Sequence, residues 1–144
     1  MKLERGLAVG LHELVDLEMR GMFDSVTWQL DEAALKAVTK LSPLAVEVVY
    51  YAVRESLRNA ARHGRGSDTA RALNLSIRIA DKEGLQIVIA DDGVGVQQET
   101  HRSNGSGQGL ALHSTLLAMF GGSLSVTSNS ESGTDVVIQL PFGY

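Results

Sequence analysis

Residues 91–95 read DDGVG, and the apolar run LQIVIA (85–90) stops abruptly at them. Two carboxylates followed by glycines alternating with valine are ordinary turn punctuation when met alone. Their place at the end of an apolar run asks for more than a turn: an acid and bare backbone side by side at a strand terminus. Working outward, ALNLSIRIAD (72–81) and LQIVIAD (85–91) read as neighbouring strands around the turn DKEG. SLSVTS (123–128) and TDVVIQLP (134–141) read as two more, joined by the turn-rich NSESG. A short strand, SVTWQL (25–30), alternates apolar with polar residues near the N-terminus.

Helical periods fill the intervals. Leu7, Leu11, Leu14 and Leu17 predict a first helix ending near Gly21. Asp31 stands as N-cap to EAALKAVTKL, and Pro43 opens PLAVEVVYYAVRESLRNAARHG, which Gly64 stops. GLALHSTLLAMF (109–120) is again helical and is closed by Gly121 and Gly122. With helices early and strands late, the pattern predicts an α+β fold, a two-layer sandwich whose mixed sheet carries helices on one face. A single domain over 1–144 is expected, with a core at 41–141 and an N-terminal helix and strand before it.

Composition narrows the function. The chain has 144 residues, a formal net charge of −4 and no cysteine. That excludes disulfides and thiolate metal sites, and argues against a nucleic-acid footprint. No apolar run approaches a membrane span and the N-terminus carries acids, so a cytosolic domain without direct membrane contact is expected, whatever anchors a longer parent. GxxxxGK[ST], a GxGxxG opening a helix after a strand, and the calcium-loop pattern are all missing.

The long central helix carries the first chemical signal. Val46, Val49, Val53, Leu57 and Ala60 form one apolar face, while Val48, Ala52, Glu55, Asn59 and Arg62 form a second that turns polar halfway along. Such a face either emerges into water or passes into a cleft. In a cleft, an Asn59 amide oxygen suits a hard cation, Glu55 can orient water and Arg62 can meet phosphate. The second signal is VQQETHRSNGSGQ (96–108), which lacks apolar periodicity and runs through Gly105, Gly107 and Gly109 into a patterned helix. Bare backbone entering a helix N-terminus favours an anion, and the polar stretch before it reads as a lid.

In this order, RESLRNAARHG, DDGVG, GSGQGLAL and the final hairpin with its Gly-Thr pair resemble the N box and glycine boxes of the GHKL ATPase superfamily, the Bergerat fold. The closing strands are similar to those of sensor histidine kinase catalytic domains, and the resemblance covers residues 40–141. It implies ATP and Mg²⁺ as ligands, with Asn59 holding the metal and Asp91 accepting from the adenine amine. Gly93 and Gly95 would let backbone approach the base. Arg62 and His63 would stand where phosphates are contacted, Gly105, Gly107 and Gly109 would shape the lid hinge, and the amides near Leu110 would face the triphosphate. Thr134 would support the adenine pocket and Glu55 would occupy the catalytic-base position.

The resemblance further implies γ-phosphoryl transfer to a histidine on a separate dimerisation segment, and a response regulator downstream. Alternatives within the superfamily are a serine kinase of the anti-sigma-factor type and a degenerate domain kept for protein contacts. The phenylalanine-containing box common in histidine kinases is missing between Gly95 and Gly105. His12, followed by Glu13, resembles an acceptor box, but too little chain separates it from the N box for a dimerisation hairpin. His101 and His113 carry no motif.

Overall fold

The computed structural model describes residues 6–95, 105–129 and 133–142, with only the backbone of 105–108. The expected α+β sandwich is the observed one. A five-stranded sheet runs in the order β1-β2-β3-β5-β4, where β1 is Ser25–Leu30, β2 Asn74–Asp81, β3 Leu85–Asp91, β4 Ser123–Ser128 and β5 Thr134–Leu140. β1 lies parallel to β2 and every other neighbouring pair is antiparallel. A parallel pair cannot be closed by a tight turn, so the chain crosses between β1 and β2 through two helices, α2 (Glu32–Val38) and α3 (Pro43–His63).

Strand alternation decides which face the helices cover. Leu75, Ile77, Ile79, Leu85, Ile87, Ile89, Val136, Ile138 and Leu140 are buried on one face. Their partners in alternation, such as Ser25, Thr27, Ser76 and Arg78, are exposed on the other. Against the apolar face lies α3, whose Val49, Val53 and Leu57 are fully buried while Val46 is half-buried. Each such aliphatic side chain contributes about 1.5–3 kcal/mol by leaving water, so the helices are held to this face alone. The second face of α3, beginning with buried Val48 and Ala52, turns toward the fourth helix, α4 (Gly105–Ala118).

Capping follows the sequence. Asp31 accepts from the Ala33 amide at 3.0 Å and Ser42 from the Ala45 amide at 3.1 Å, with Pro43 in the first turn of α3. Gly121 is left-handed at φ 80°, and the Gly122 amide reaches back to the Leu117 carbonyl to finish α4. Two expectations are corrected. The first helix, α1 (Leu7–Glu13), continues as a wider π-helical turn, Leu14–Glu18, in which the Met19 amide bonds the Leu14 carbonyl. The wider turn buries Leu14 and Val15 and rotates Leu17 outward to 61% exposure, off the leucine stripe. It also presents Glu18 to Arg54 at 2.7 Å and Arg58 at 3.4 Å, joining this segment to α3. Secondly, α4 begins at Gly105 rather than Gly109.

Gly64 ends α3 with an αR backbone (φ −60°), so its glycine identity is not a matter of left-handed geometry. Space is the reason: a Cβ there would come within 2.6 Å of both the Ala60 carbonyl oxygen and the buried Leu73 side chain. Gly64→Ala gains about 0.5–1 kcal/mol of backbone preference but forces overpacking that costs about 1–3 kcal/mol. Denaturant unfolding is therefore expected to show a net loss of stability; a more stable variant would mean that Leu73 yields freely.

Candidate functional site

Because α3 crosses the sheet to deliver the chain to the start of β2, its C-terminal end arrives beside the end of β3, where Leu75 pairs with Asp91. The segment 91–95 docks there. The Val94 amide donates to the Gly64 carbonyl at 2.8 Å, and a Cβ on Gly93 would collide with the Gly64 backbone. Gly93 is thus required for contact with α3, a reason for glycine that its expected approach to a base did not include. Gly95 has a different reason, a left-handed φ of 92°.

The two aspartates point to opposite faces. Asp91 continues the parity of Ile87 and Ile89, toward the helices, and is half-buried. Desolvation raises its pKa, while hydrogen bonds from the Gly93 and Thr134 backbone amides pull it down. Asp92 faces the open side of the sheet, in a hollow of about 410 Å³ lined also by Ser25, Thr27, Ser76 and Asp135, which Asp91 borders at the strand end. Its carboxylate accepts from the Asn74 amide at 2.7 Å and from Asn74 Nδ2 at 2.9 Å. Burial works to raise Asp92, but these donors outweigh it and hold the group below its ordinary value.

On α3, Asn59 is 8% exposed, and neither its Oδ1 nor its Nδ2 has a hydrogen-bond partner among the described residues. An orphaned buried amide costs about 1–3 kcal/mol, so a solvated polar face is the wrong description of this helix. One turn earlier, the half-buried Glu55 carboxylate lies against α4: a Cβ on Gly109 would stand 2.6 Å from its Oε2. Arg62 is exposed and His63 half-buried in the last turn of α3. Thr134, directly across from Asp91 on β5, brings its amide to the Asp91 carboxylate. The structure therefore gathers Glu55, Asn59, Asp91, Gly93, Gly109 and Thr134 around the meeting of α3, α4 and the end of β3.

The earlier start of α4 changes one assignment. The Leu110 amide falls in the second turn, inside the helical ladder, so the free amides of the N-terminus among the described residues are those of 105–107, and Gly105 and Gly107 lie in the first turn of the helix. Of the polar stretch 96–108 read as a lid, residues 96–104, and His101 with them, lie outside the described residues. His12 is stacked on Trp28 with ring centroids 3.9 Å apart and shares a hydrogen bond between Nδ1 and the Ala8 carbonyl. His113 lies half-buried on α4. Among the described residues no group of three or more His, Cys, Asp or Glu could hold a metal.

Sequence reasoning missed three organising residues. Asn129, read as turn material, donates through Nδ2 to the Asp91 carbonyl and Asp135 and accepts from the Gly133 amide. Its only signal was Asn four residues before Gly, a common turn pattern. Asn74 clasps Asp92, and Arg71 reaches the 92–93 backbone; neither has a spacing that betrays it.

Comparison with known proteins places this geometry. The family model described as histidine kinase-, DNA gyrase B-, and HSP90-like ATPase matches residues 45–144. Sporulation kinase D of Bacillus subtilis is 30% identical over 121 residues, which are 76% of this chain and 24% of that protein. The signal transduction histidine-protein kinase/phosphatase UhpB of Salmonella typhimurium is 29% identical over 90% of this chain and 23% of its own length. The chain thus spans about a quarter of these curated relatives. Among solved structures, the histidine kinase domain of the Erythrobacter litoralis EL346 blue-light activated kinase superposes with a TM-score of 0.68 at 21% identity, over 99% of this chain and 62% of that one. The mycobacterial sensor histidine kinase MprB gives 0.60 at 19% identity, over 94% and 92%. These two establish the fold.

The opposed titration of the aspartates gives a test. Asp92, held low, contributes stability present above its unfolded value near 3.8 and lost as pH falls through its lower folded value. Asp91, held high, costs stability at neutral pH that is relieved on protonation. At pH 7, Asp92→Asn should lose roughly 1 kcal/mol and Asp91→Asn nothing, with the Asp92→Asn deficit shrinking below pH 3.8. Urea unfolding across pH measures both; an equal loss in the two variants contradicts the assignment of opposite roles.

Proposed function

The chain belongs to the histidine kinase-, DNA gyrase B-, and HSP90-like ATPase family, and from that premise we propose that it is the ATP-binding catalytic domain of a sensor histidine kinase. The carrying observation is Asn59: a buried amide without a partner among the described residues, one turn from Glu55, at the end of a helix docked on the Asp91 turn. The same orphaned oxygen is the fit test for Mg²⁺. With no group of three or more His, Cys, Asp or Glu for a metal among the described residues, one neutral oxygen ligand and the phosphates of the substrate are the donors on offer, the arrangement Mg²⁺ accepts readily. When bound, the ion neutralises phosphate charge and fixes the phosphates in place.

The chain's own residues supply the rest. Asp91, a half-buried acceptor steadied by the Gly93 and Thr134 amides, takes the hydrogen bond of the adenine amine. Guanine presents a carbonyl there and is refused. The amides of 105–107 and the positive end of the α4 dipole face the anionic phosphates, with Arg62 as an exposed cation beside them. Glu55 accepts the N–H of the incoming imidazole, so the nucleophilic nitrogen attacks the γ-phosphorus as the bond to the ADP oxygen breaks.

The acceptor histidine belongs to a separate dimerisation segment and a response regulator takes the phosphoryl group onward. His12, its ring stacked on Trp28 and its Nδ1 bonded within α1, is poorly placed to be that acceptor. Since the domain's task is positioning and charge neutralisation, a loss of one contact reads directly as a loss of affinity.

Two titrations test the reading. Asn59→Ala should bind ATP equally with and without Mg²⁺ while melting no lower than the parent, because it removes an amide buried without a partner. Calorimetry with Mg-ATP and with ATP in EDTA measures this, and a variant that keeps the parent's Mg²⁺ dependence refutes the metal role. Asp91→Asn should weaken ATP by about 1–3 kcal/mol, roughly ten- to a hundredfold, and Asp92→Asn much less. Equal, small effects in both would reduce the segment to a turn.

A further inference from the structure

Outside the residues assigned so far, the most connected polar group in the described structure is a pair of arginines in the loop between α3 and β2. Arg71 extends Nη2 to two successive carbonyl oxygens of the turn, Asp92 at 3.0 Å and Gly93 at 3.2 Å. Its charge also lies close enough to Asp92 to help lower that carboxyl. Arg65 holds the loop that carries Arg71: Nε donates to the Arg71 carbonyl at 2.9 Å, Nη1 to the Met22 carbonyl at 3.0 Å and Nη2 to Asp24 Oδ2 at 3.1 Å. The same Asp24 oxygen accepts from the Leu73 amide at 2.7 Å, and the Asp24 amide donates to the Leu73 carbonyl at 2.8 Å. Four separate parts of the chain, at 22–24, 65, 71–73 and 92–93, are thereby joined through guanidinium groups.

A carbonyl pair bridged from outside cannot rotate its peptide planes independently. The planes held by Arg71 are 92–93 and 93–94, and the Gly93 amide that steadies the Asp91 carboxylate, at 2.8 Å from Oδ1, belongs to the first of them. We propose that Arg71 is a positioning residue for base recognition: by bridging Asp92 O and Gly93 O it sets the Gly93 amide and so aims the Asp91 carboxylate, with Arg65 and Asp24 bracing the loop that carries it. This rests on the reading that Asp91 accepts from adenine. Arg71 is itself exposed, so its removal leaves the core untouched.

The test separates positioning from general damage. Arg71→Ala should lower Mg-ATP affinity about fivefold and leave Mg-tripolyphosphate, which has no base, bound as in the parent. Arg71→Lys, with an ammonium that can donate to both carbonyls, should recover most of the loss. An equal loss for both ligands, or no loss for ATP, overturns the proposal. A measurement without nucleotide accompanies it: the Val94 amide, bonded to Gly64 O, should exchange several-fold faster in Arg71→Ala than in the parent. Unchanged exchange overturns the brace whether or not ATP binds. If the parent binds no adenine nucleotide, the recognition reading itself fails, and the exchange result alone decides whether Arg71 holds the turn.

Discussion

The contact between the Gly93–Val94 backbone and the end of α3 at Gly64 is the constraint on which the site depends. A hydrogen bond of 2.8 Å joins Val94 to Gly64, and two glycines face each other where any Cβ would intrude. The candidate site residues on α3 and β3 are both referenced to this junction. Asn59 lies little more than one turn before Gly64 on α3, and Asp91 lies two residues before Gly93 on β3, so their separation is set by backbone packing and not by flexible side chains. The crossover through α2 and α3 exists to make β1 parallel to β2, and its by-product is to bring the helix end to the strand end.

Around that junction, polar groups are either fully spoken for or conspicuously not. Asp92, Asn74, Asn129, Arg65 and Arg71 are engaged in hydrogen bonds that fix loops to one another. Asn59 is buried without a partner among the described residues, and Asp91 is partly desolvated with its pKa raised. Groups of the second kind cost stability in the isolated fold, and a ligand that satisfies them recovers that cost on binding. The contrast between neighbouring aspartates illustrates the division: one residue's change of face separates a desolvated carboxylate from a structural clasp.

Much of this was legible in the sequence, and the exceptions have physical reasons. Strand alternation and the Asp31, Pro43 and Gly121 signals are local, so the five strands and the starts of α2 and α3 could be read directly, while α2 ends at Val38, short of the stretch read through to Leu41. The π-helical turn at 14–18 could not, since the leucine spacing fits an ordinary helix and only packing shows that Leu17 is outside. Gly105 and Gly107 read as loop because glycine is a poor helix former, yet α4 begins among them. Asn59 and Asp91 stood out through the order of four motifs. Arg71 and Asn129 did not, because a side chain that bonds distant backbone leaves no periodic trace.

The proposed function requires one Mg-ATP site on the helix side of the sheet, between Asn59, Asp91 and the N-terminus of α4. Amide chemical-shift mapping of the full chain during Mg-ATP titration tests it most directly. Large shifts are expected for the Asn59 side-chain amide, for 91–95 and 105–110, and for Thr134, with Thr27, Ser76 and Ser125 on the open face unmoved. Shifts centred on the open-face hollow around Ser25, Ser76 and Asp135, or none at Asn59, would contradict it.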